Sequence, residues 1–181
     1  MPRSVGPKHG QERHLFASAI TPSGFVSFVE SLMQRCQRLL VLQGARGTGS
    51  EHIVDHLRRA MAIRSLQVEV YHCALDPTIV EHLYVPDLSL AVVTSRAPHT
   101  YTATATWAEN LNGLVREERL APWRGEMNSV LADSKRAFDA AVGFLVRAKW
   151  AHDELESFYV PHMDFARVSS RRDEILAQIC T

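Results

Sequence analysis

Hydrophobic positions in the first half of the chain follow the patterns of strands. Residues 38–43 form an apolar run, residues 67–73 alternate between apolar and polar side chains, and residues 87–94 become apolar toward their end. These patterns predict three strands. An earlier apolar segment at 14–20 predicts a further, buried strand. The sequence Thr-Pro-Ser-Gly at 21–24 predicts a turn or a helix cap.

Helical periodicity occurs twice in the same half. An amphipathic helix is predicted after the turn from apolar residues spaced i, i+3, i+4, i+7 and i+8, which are Phe25, Phe28, Val29, Leu32 and Met33. A second helix is predicted over residues 50–64. Strands and helices in this order, joined by right-handed crossovers, give a small parallel sheet covered by helices, so the sequence predicts an α/β fold.

Beyond residue 100 the hydrophobic repeat becomes long and helical. Positions spaced alternately by four and three predict a helix over 127–159 with one packing seam, formed by Met127, Leu131, Ser134, Phe138, Ala141, Leu145, Ala148, His152, Leu155 and Tyr159. A further helix is predicted after Pro161, where the spacing continues at Phe165, Val168, Ile175 and Ile179. The two helices predict a long antiparallel hairpin attached to the sheet. The interleaved basic and acidic residues between the seam positions indicate a solvated face.

A glycine-rich turn lies between the strand at 38–43 and the helix that follows. Gly44 and Gly49 have the spacing of the phosphate-binding motif G-x-x-x-x-G-K-[ST], with Gly47 between them. Ser50 stands at the lysine position of that motif, and Glu51 stands at the position of the magnesium-binding Ser or Thr. The candidate nucleotide-binding residues are Gly44, Ala45, Arg46, Gly47, Thr48, Gly49, Ser50 and Glu51.

These replacements change what the turn can bind. Backbone N–H groups of a glycine turn and a helix N-terminus attract anions whatever the side chains are. The missing lysine would add a charged hydrogen bond of roughly 1.5–3 kcal/mol, and the Glu51 carboxylate repels phosphate unless a cation bridges them. Arg46 could return some positive charge. In a simpler interpretation, Ser50 is a helix N-cap and Glu51 opposes the helix dipole.

The second magnesium-binding position of such sites is an Asp at the end of an apolar strand. The corresponding strand here ends at Thr94, which cannot neutralise a cation. With both metal-binding positions changed, we expect weak or absent binding of ATP or ADP and no magnesium-dependent hydrolysis.

Composition is that of an ordinary globular protein. The chain has 181 residues, with 20 Lys plus Arg against 20 Asp plus Glu, so it carries no net charge that would favour nucleic acid or an anionic membrane. Its three scattered cysteines are typical of free thiols in a reducing compartment, and no apolar stretch is long enough to cross a membrane. We predict a cytoplasmic protein with a disordered tail at 1–12 and one domain at 13–181, comprising a sheet core at 13–100 and a mainly helical extension at 101–181.

Several of these motifs recur in the same order in one bacterial family. They are the segments 14–25, 44–50, 71–77, 97–99 and 152–165. The chain resembles one half, closest to the C-terminal half, of poorly characterised ATPase-like proteins built from two P-loop halves in tandem, and the match runs from 13 to 179. The resemblance implies a P-loop NTPase-like fold. It also implies a partner half that is either missing here or supplied by a second protein, and a homodimer could imitate the tandem geometry.

The departures from that family fall at its chemical positions. In the family the turn reads GxPGTGK[ST], and the strand before Ala-Pro-His ends in Asp-Gly. This chain has Ser50 and Glu51 in the turn, and Thr94 and Ser95 at the strand end. The resemblance therefore implies the fold more firmly than the activity.

Other polar residues follow predicted strands. His72, Cys73 and Asp76 follow the strand at 67–73, and His99 follows the strand ending at Thr94. Because the carboxyl ends of parallel strands meet at the ligand crevice, these residues could contact phosphate or a metal near the glycine turn. Their spacing matches no closed zinc site. His152 lies on the helical seam, where a core histidine is the simpler interpretation.

Three functions fit the sequence. The first is a degenerate P-loop protein, a pseudo-ATPase that binds nucleotide weakly or not at all and acts through a partner or through self-association. The second is an active ATPase or small-molecule kinase that uses Arg46 in place of the lysine and Glu51 or Asp76 as a metal ligand. The third is a protein that binds a different phosphorylated ligand, or a metal, in the same crevice.

Overall fold

The computed structural model describes residues 10–97, 100–101 and 104–180. Within them, six strands form one sheet in the order β1-β5-β6-β7-β4-β8, and β2 and β3 form a separate hairpin. The strands are β1 Glu12–Phe16, β2 Ser18–Thr21, β3 Gly24–Ser27, β4 Arg38–Gln43, β5 Val68–His72, β6 Val80–Val85, β7 Leu90–Ser95 and β8 Trp107–Asn110. The helices are α1 Val29–Gln34, α2 Ser50–Ile63, α3 Glu117–Leu120, α4 Arg124–Tyr159 and α5 Phe165–Ile179.

The sheet is covered on both faces, as the predicted α/β fold requires. Alternate residues of its strands point to opposite faces, so the core has two parts. The part beside α1 and the β2–β3 hairpin includes Ala17, Val29, Leu32, Leu39, Val41, Tyr71, Tyr84, Ala91 and Val93. The part beside α2 includes Leu42, Val54, Met61, Val68, Val70, Leu83, Val85, Val92 and Leu111.

The sheet is mixed, with three parallel and two antiparallel strand pairings, so the predicted small parallel sheet is confirmed only in part. β1 is parallel to β5, and β4 is parallel to β7, as predicted for such a fold. β4 is also parallel to β8, a strand that the sequence does not predict. The strand β6 was not predicted, and it runs antiparallel to both β5 and β7. Short connections at 73–79 and 86–89 join these strands, and connections of that length allow only an antiparallel return.

The N-terminal region differs from its prediction. The segment 14–20 is not one buried strand, because the chain changes direction at Ala17 and β1 is a largely exposed edge strand. The turn at 21–24 is confirmed as a turn and not as a helix cap: Thr21 pairs with Gly24 across a β-hairpin. Gly24 has a φ of 88°, which suits the tight turn.

The helix predicted from Phe25 is therefore shorter than expected. Residues 25–27 belong to β3, and only Val29–Gln34 is helical. Phe28, which the periodicity places on the apolar stripe, is exposed. By contrast, the helix predicted at 50–64 is confirmed as α2, and the strands predicted at 38–43, 67–73 and 87–94 correspond to β4, β5 and β7.

The long second-half helix is confirmed as α4, but the predicted antiparallel hairpin is wrong. No residue of α4 or α5 is buried, and α5 makes no extended contact with α4. Between them lies a short 3-10 turn, Val160–His162, followed by extended backbone at Met163. The predicted seam fails because large apolar residues such as Val146 and Trp150 lie off it, and its own residues are not buried.

The sheet core extends beyond both of its predicted boundaries, residues 13 and 100. Gly10 donates its backbone N–H to the Ala62 carbonyl at 3.2 Å, and Glu12 begins β1, so residues 10–12 of the predicted tail belong to the fold; residues 1–9 lie outside the described residues. At the other boundary, β8 joins the sheet from beyond residue 100. Among the described helices, none combines the length and the apolar run needed to cross a bilayer.

Candidate functional site

The glycine turn, residues 44–51, connects β4 to α2 as predicted. Gly47 and Gly49 have φ values of 83° and 92°, a left-handed backbone that favours glycine. A Cβ at Gly44 would come within 2.4 Å of Thr48 Oγ1, because Thr48 Oγ1 donates back across the turn to the Ala45 carbonyl at 2.7 Å. The three glycines of the motif are therefore required by the shape of the turn.

Part of the backbone of the turn is already hydrogen-bonded. Gly44 N–H donates to the Ser95 carbonyl at 3.3 Å, and Ala45 N–H donates to Asn112 Oδ1 at 2.9 Å. Other donors of the turn have no hydrogen-bond partner within the described ranges; these are the N–H groups of Arg46, Gly47, Gly49, Ser50 and Glu51. Free N–H groups at a turn and a helix N-terminus are the elements of an anion site.

An arginine from another strand reaches the lysine position of the motif. Arg96, directly after β7, donates from Nη1 to Ser50 Oγ at 3.1 Å. Its Nη2 donates to Glu81 Oε1 in β6 at 2.8 Å, in an ion pair whose side chains are only 5% and 1% exposed. The cation that the motif lacks at Ser50 is thus present beside it, but it is already paired with a buried carboxylate.

Ser50 does not cap the helix, which corrects the simpler interpretation of this residue. The N-cap position belongs to Gly49, with no side-chain hydrogen bond, and Ser50 is the first helical residue. Its buried hydroxyl accepts from Arg96 and donates to Glu51 Oε2 at 3.2 Å. Glu51 does lie in the first turn of α2, where an acidic residue opposes the helix dipole.

The charge around the turn is not positive. Glu51 Oε2 lies 3.8 Å from Arg96 Nη1, so one guanidinium faces two carboxylates, those of Glu51 and Glu81. These three groups together carry one negative charge. Phosphate approaching the free N–H groups therefore meets a cation that is already neutralised and an acidic side chain beside it.

The strand end that would hold magnesium carries no carboxylate. Thr94 is buried near the end of β7, and its backbone N–H donates to His82 Nδ1 at 3.2 Å. Its Oγ1 has no hydrogen-bond partner in the described chain, and the same holds for Glu81 Oε2 and Arg96 Nε. Buried polar atoms without partners are costly, so this cluster is held by the packing around it.

Residues at the end of β5 approach the turn from one side. The exposed Arg46 points a guanidinium N–H at Cys73 Sγ, 3.9 Å away. Asp76 accepts from the backbone N–H and the hydroxyl of Thr78, at 3.0 and 2.6 Å, and these bonds, with a smaller contribution from the charge of Arg46, lower the pKa of Asp76. Cys73 and Asp76 therefore lie near Arg46, as the convergence of strand ends predicts.

His72 is engaged elsewhere. Its Nε2 lies 2.8 Å from His14 Nδ1, and the two rings stack. Both histidines line a cleft of about 420 Å³ together with His52, Asp55 and Arg58, beside the first turn of α2. This cleft opens between β1, β5 and α2.

The metal candidates are not brought together. Within the described residues, the one group with metal-ligand geometry is His152, Asp153 and Glu156 on the surface of α4, and it includes neither His72 nor Asp76. His99 lies outside the described residues. His152 is exposed and pairs with Glu156 at 3.4 Å, so the prediction of a core histidine is wrong.

Sequence reasoning missed Arg96, Glu81 and Asn112. The signal for the first two was available: each is a charged residue attached to an apolar strand segment, and their charges are opposite. Asn112 gave no such signal, since it lies in a 3-10 turn after β8.

Comparison of the chain with family models, with curated proteins and with solved structures gives no match. The structure itself defines a mixed α/β protein with a six-stranded sheet, a glycine turn between β4 and α2, and a long exposed helix.

Proposed function

We propose that this chain is a degenerate P-loop NTPase-like protein, which keeps the glycine turn but binds nucleotide weakly or not at all. In this proposal it acts through a partner or through self-association, without hydrolysis. The observation that carries the proposal is the Arg96–Glu81 pair behind Ser50. It holds the only nearby buried cation against a carboxylate in the described part of the site.

In this proposal, a phosphate ligand could recruit Arg96 only by separating it from Glu81. Separating a buried ion pair leaves an uncompensated charge and costs about 3–5 kcal/mol. A charged hydrogen bond to phosphate returns only about 1.5–3 kcal/mol. Phosphate therefore gains nothing by drawing Arg96 away from Glu81, and the remaining attraction comes from the N–H groups of the turn.

The second candidate is an active ATPase or small-molecule kinase. It is supported by the same guanidinium, which lies 3.1 Å from Ser50 Oγ and so supplies positive charge close to the lysine position. Glu51, partly exposed in the first turn of α2, would then be the metal ligand. This candidate requires Arg96 to contact phosphate while still bound to Glu81.

Calorimetric titration with ATP and ADP, with and without Mg²⁺, separates the two candidates. The decisive variant is Ser50→Lys, Glu51→Thr, Arg96→Met, which moves the cation from β7 to the motif position and removes the Glu51 carboxylate. Changing Ser50 alone would place a lysine against Arg96. No binding by the natural chain and restored binding by the triple variant support the degenerate site.

The control for this experiment is Arg59→Met on the exposed side of α2, whose ion pair with Asp55 is solvated. It leaves nucleotide binding unchanged in either case. Tight magnesium-dependent binding by the natural chain, lost in Arg96→Met and in Glu51→Gln, would overturn the proposal in favour of an active enzyme.

A further inference from the structure

One face of α4 carries an exposed apolar stripe with coiled-coil spacing. Its residues follow one another at intervals of four and three, and they are Phe144, Ala148, Ala151, Leu155 and Phe158. All five are exposed, although Phe144 and Phe158 are among the largest apolar side chains of the helix. We call this set the α4 stripe.

The α4 stripe faces away from the sheet domain. The half-buried residues of α4 are Phe138, Val142 and Leu145, and α4 contacts the domain at β2. At 100° per residue, the centre of the stripe lies about 120° around the helix from the centre of these three residues. The stripe is therefore open to a second helix without displacement of the domain.

Two charged residues beside the stripe lack the ion pairs that most charged residues of α4 make. Lys135, Arg136 and Lys149 each pair with an aspartate of the same helix, at positions 139, 133 and 153 respectively. Arg147 and Glu154, which flank the stripe along one side, make no ion pair within the described residues, although the Arg147 guanidinium lies over the Phe144 ring at 4.3 Å from its centre. They are one heptad apart, too far to meet on one helix.

A second copy of the helix in antiparallel orientation would complete this surface. With the two helices centred between residues 149 and 150, Phe144 lies level with Leu155 of the second copy. Ala148 then lies level with Ala151 of the second copy, and small residues at the centre let the backbones approach closely. These are the core layers of an antiparallel coiled coil.

The same register satisfies the unpaired charges. Arg147 lies within one turn of Glu154 of the second copy, on the same side of the seam, and the symmetry repeats this pair at the other end. A parallel, in-register pair would instead place the two copies of Arg147 on opposite sides of the seam, and the two copies of Glu154 likewise, so that no ion pair between Arg147 and Glu154 could form. The apolar spacing allows pairing of the helix, and the charges favour the antiparallel orientation.

We propose that the protein forms a homodimer by antiparallel pairing of α4 through the α4 stripe, with reciprocal ion pairs between Arg147 and Glu154. The overlap runs over residues 141–158, about 27 Å of helix. This inference names the partner for the function proposed above and rests on it in that respect. The geometry of the interface does not depend on nucleotide.

The first experiment is sedimentation equilibrium of the full chain without nucleotide. The natural protein should be a dimer, and Leu155→Asp should weaken association by at least about a hundredfold, because each dimer would hold two buried charges in its seam. Leu155 is 55% exposed in the single chain, so the variant should keep its fold, which circular dichroism verifies.

Val146→Asp is the matched control. Val146 is 48% exposed on the opposite side of α4, and its replacement should leave the dimer intact. A natural chain that stays monomeric at high concentration, or a dimer equally sensitive to both variants, would overturn the proposal and leave the stripe to a different protein.

The second experiment tests orientation by charge reversal. Arg147→Glu and Glu154→Arg should each dimerise about tenfold less tightly than the natural chain, because each places like charges together twice. An equimolar mixture of the two variants should regain association, since one copy then supplies two anions and the other two cations. The double variant should also regain it. Failure of both rescues would contradict the antiparallel register.

The two proposals fail separately. A monomeric variant such as Leu155→Asp can be titrated with ATP, so tight nucleotide binding would remove the degenerate-site proposal while leaving the dimer. A monomeric natural chain that binds no nucleotide would remove the dimer alone.

Discussion

Arg96 and Ser50 are 46 residues apart in sequence, and Arg96 Nη1 lies 3.1 Å from Ser50 Oγ. The contact joins the end of β7 to the first residue of α2, so a substitution at either residue removes a hydrogen bond of the other. It also explains why Ser50 is almost fully buried, which is unusual for a residue at the start of a helix beside a loop.

The Arg96–Glu81 pair makes a prediction about stability. Arg96→Met should destabilise the protein by about 3–5 kcal/mol, because it leaves the Glu81 carboxylate buried without its cation. Adding Glu81→Gln to that variant should recover most of the loss. The free energy of unfolding in urea measures both effects. The surface pair of Arg59 and Asp55 is the comparison, and its loss should cost less than about 1 kcal/mol.

The glycines of the turn make a second prediction. Gly49→Ala should cost about 1–2 kcal/mol, since its φ of 92° is unfavourable for a residue with a Cβ. Gly44→Ala should cost at least as much because of its contact with Thr48 Oγ1. Gly143→Ala, in open space within α4, should be neutral or stabilising by about 0.5–1 kcal/mol. The unfolding temperatures of the three variants measure these effects. Equal temperatures for all three would mean that the turn does not require its glycines.

Removing the acidic side chain of Glu51 should raise the affinity of the glycine turn for anions. Glu51→Gln should strengthen binding of ADP or pyrophosphate by about tenfold, because it removes a negative charge beside the free N–H groups. Calorimetry measures the change. Glu30→Gln, also in the first turn of a helix but in α1, should have no effect. Equal affinity in both variants would mean that anions do not reach the turn.

The buried Tyr71 should make the stability of the protein decline at alkaline pH. Burial first, and then the hydrogen bond that Tyr71 Oη donates to Glu69 at 2.6 Å, raise the pKa of Tyr71 to about 12 from 10.0. The folded state therefore favours the protonated phenol. This stabilisation is complete below pH 10 and is lost as the pH rises from 10 to about 12.

The test compares the pH dependence of unfolding in the natural chain and in Tyr71→Phe. The variant should lose part of the decline in stability above pH 10 and keep the rest, because burial also raises the pKa of Tyr101. An identical decline in both proteins would show that Tyr71 does not contribute.

The strands and helices with one strong pattern could be predicted from the sequence. β4, α2 and β7 each carry a single repeat and are bounded by turn residues, and the glycine turn between β4 and α2 required no tertiary information. The segment 25–33 failed because a helical spacing of apolar residues coincided with a β-hairpin strand followed by one short helix. Its local pattern does not reveal that Gly24 closes a hairpin with Thr21.

The Arg96–Glu81 part of the candidate site was not predicted for a different reason. Glu81 and His82 interrupt the apolar pattern of β6, so the strand was not predicted and its carboxylate could not be placed. Both charged partners are stable in the core only because they meet, and that meeting depends on the antiparallel register of β6 and β7. In the sequence, the opposite charges of Arg96 and Glu81 beside apolar segments are the available signal, and they do not identify these two residues as partners.

The succession of β5, β6 and β7 also bears on the order of folding. These three neighbouring strands are joined by short connections and form a continuous meander at 68–95, whereas β1 and β4 pair with strands far along the chain. Because closing short loops costs less entropy, we expect the meander to gain protection first in pulsed hydrogen exchange, with β1 and β8 last. The Arg96–Glu81 pair would then form early, so Arg96 would already be paired with Glu81 when the glycine turn forms.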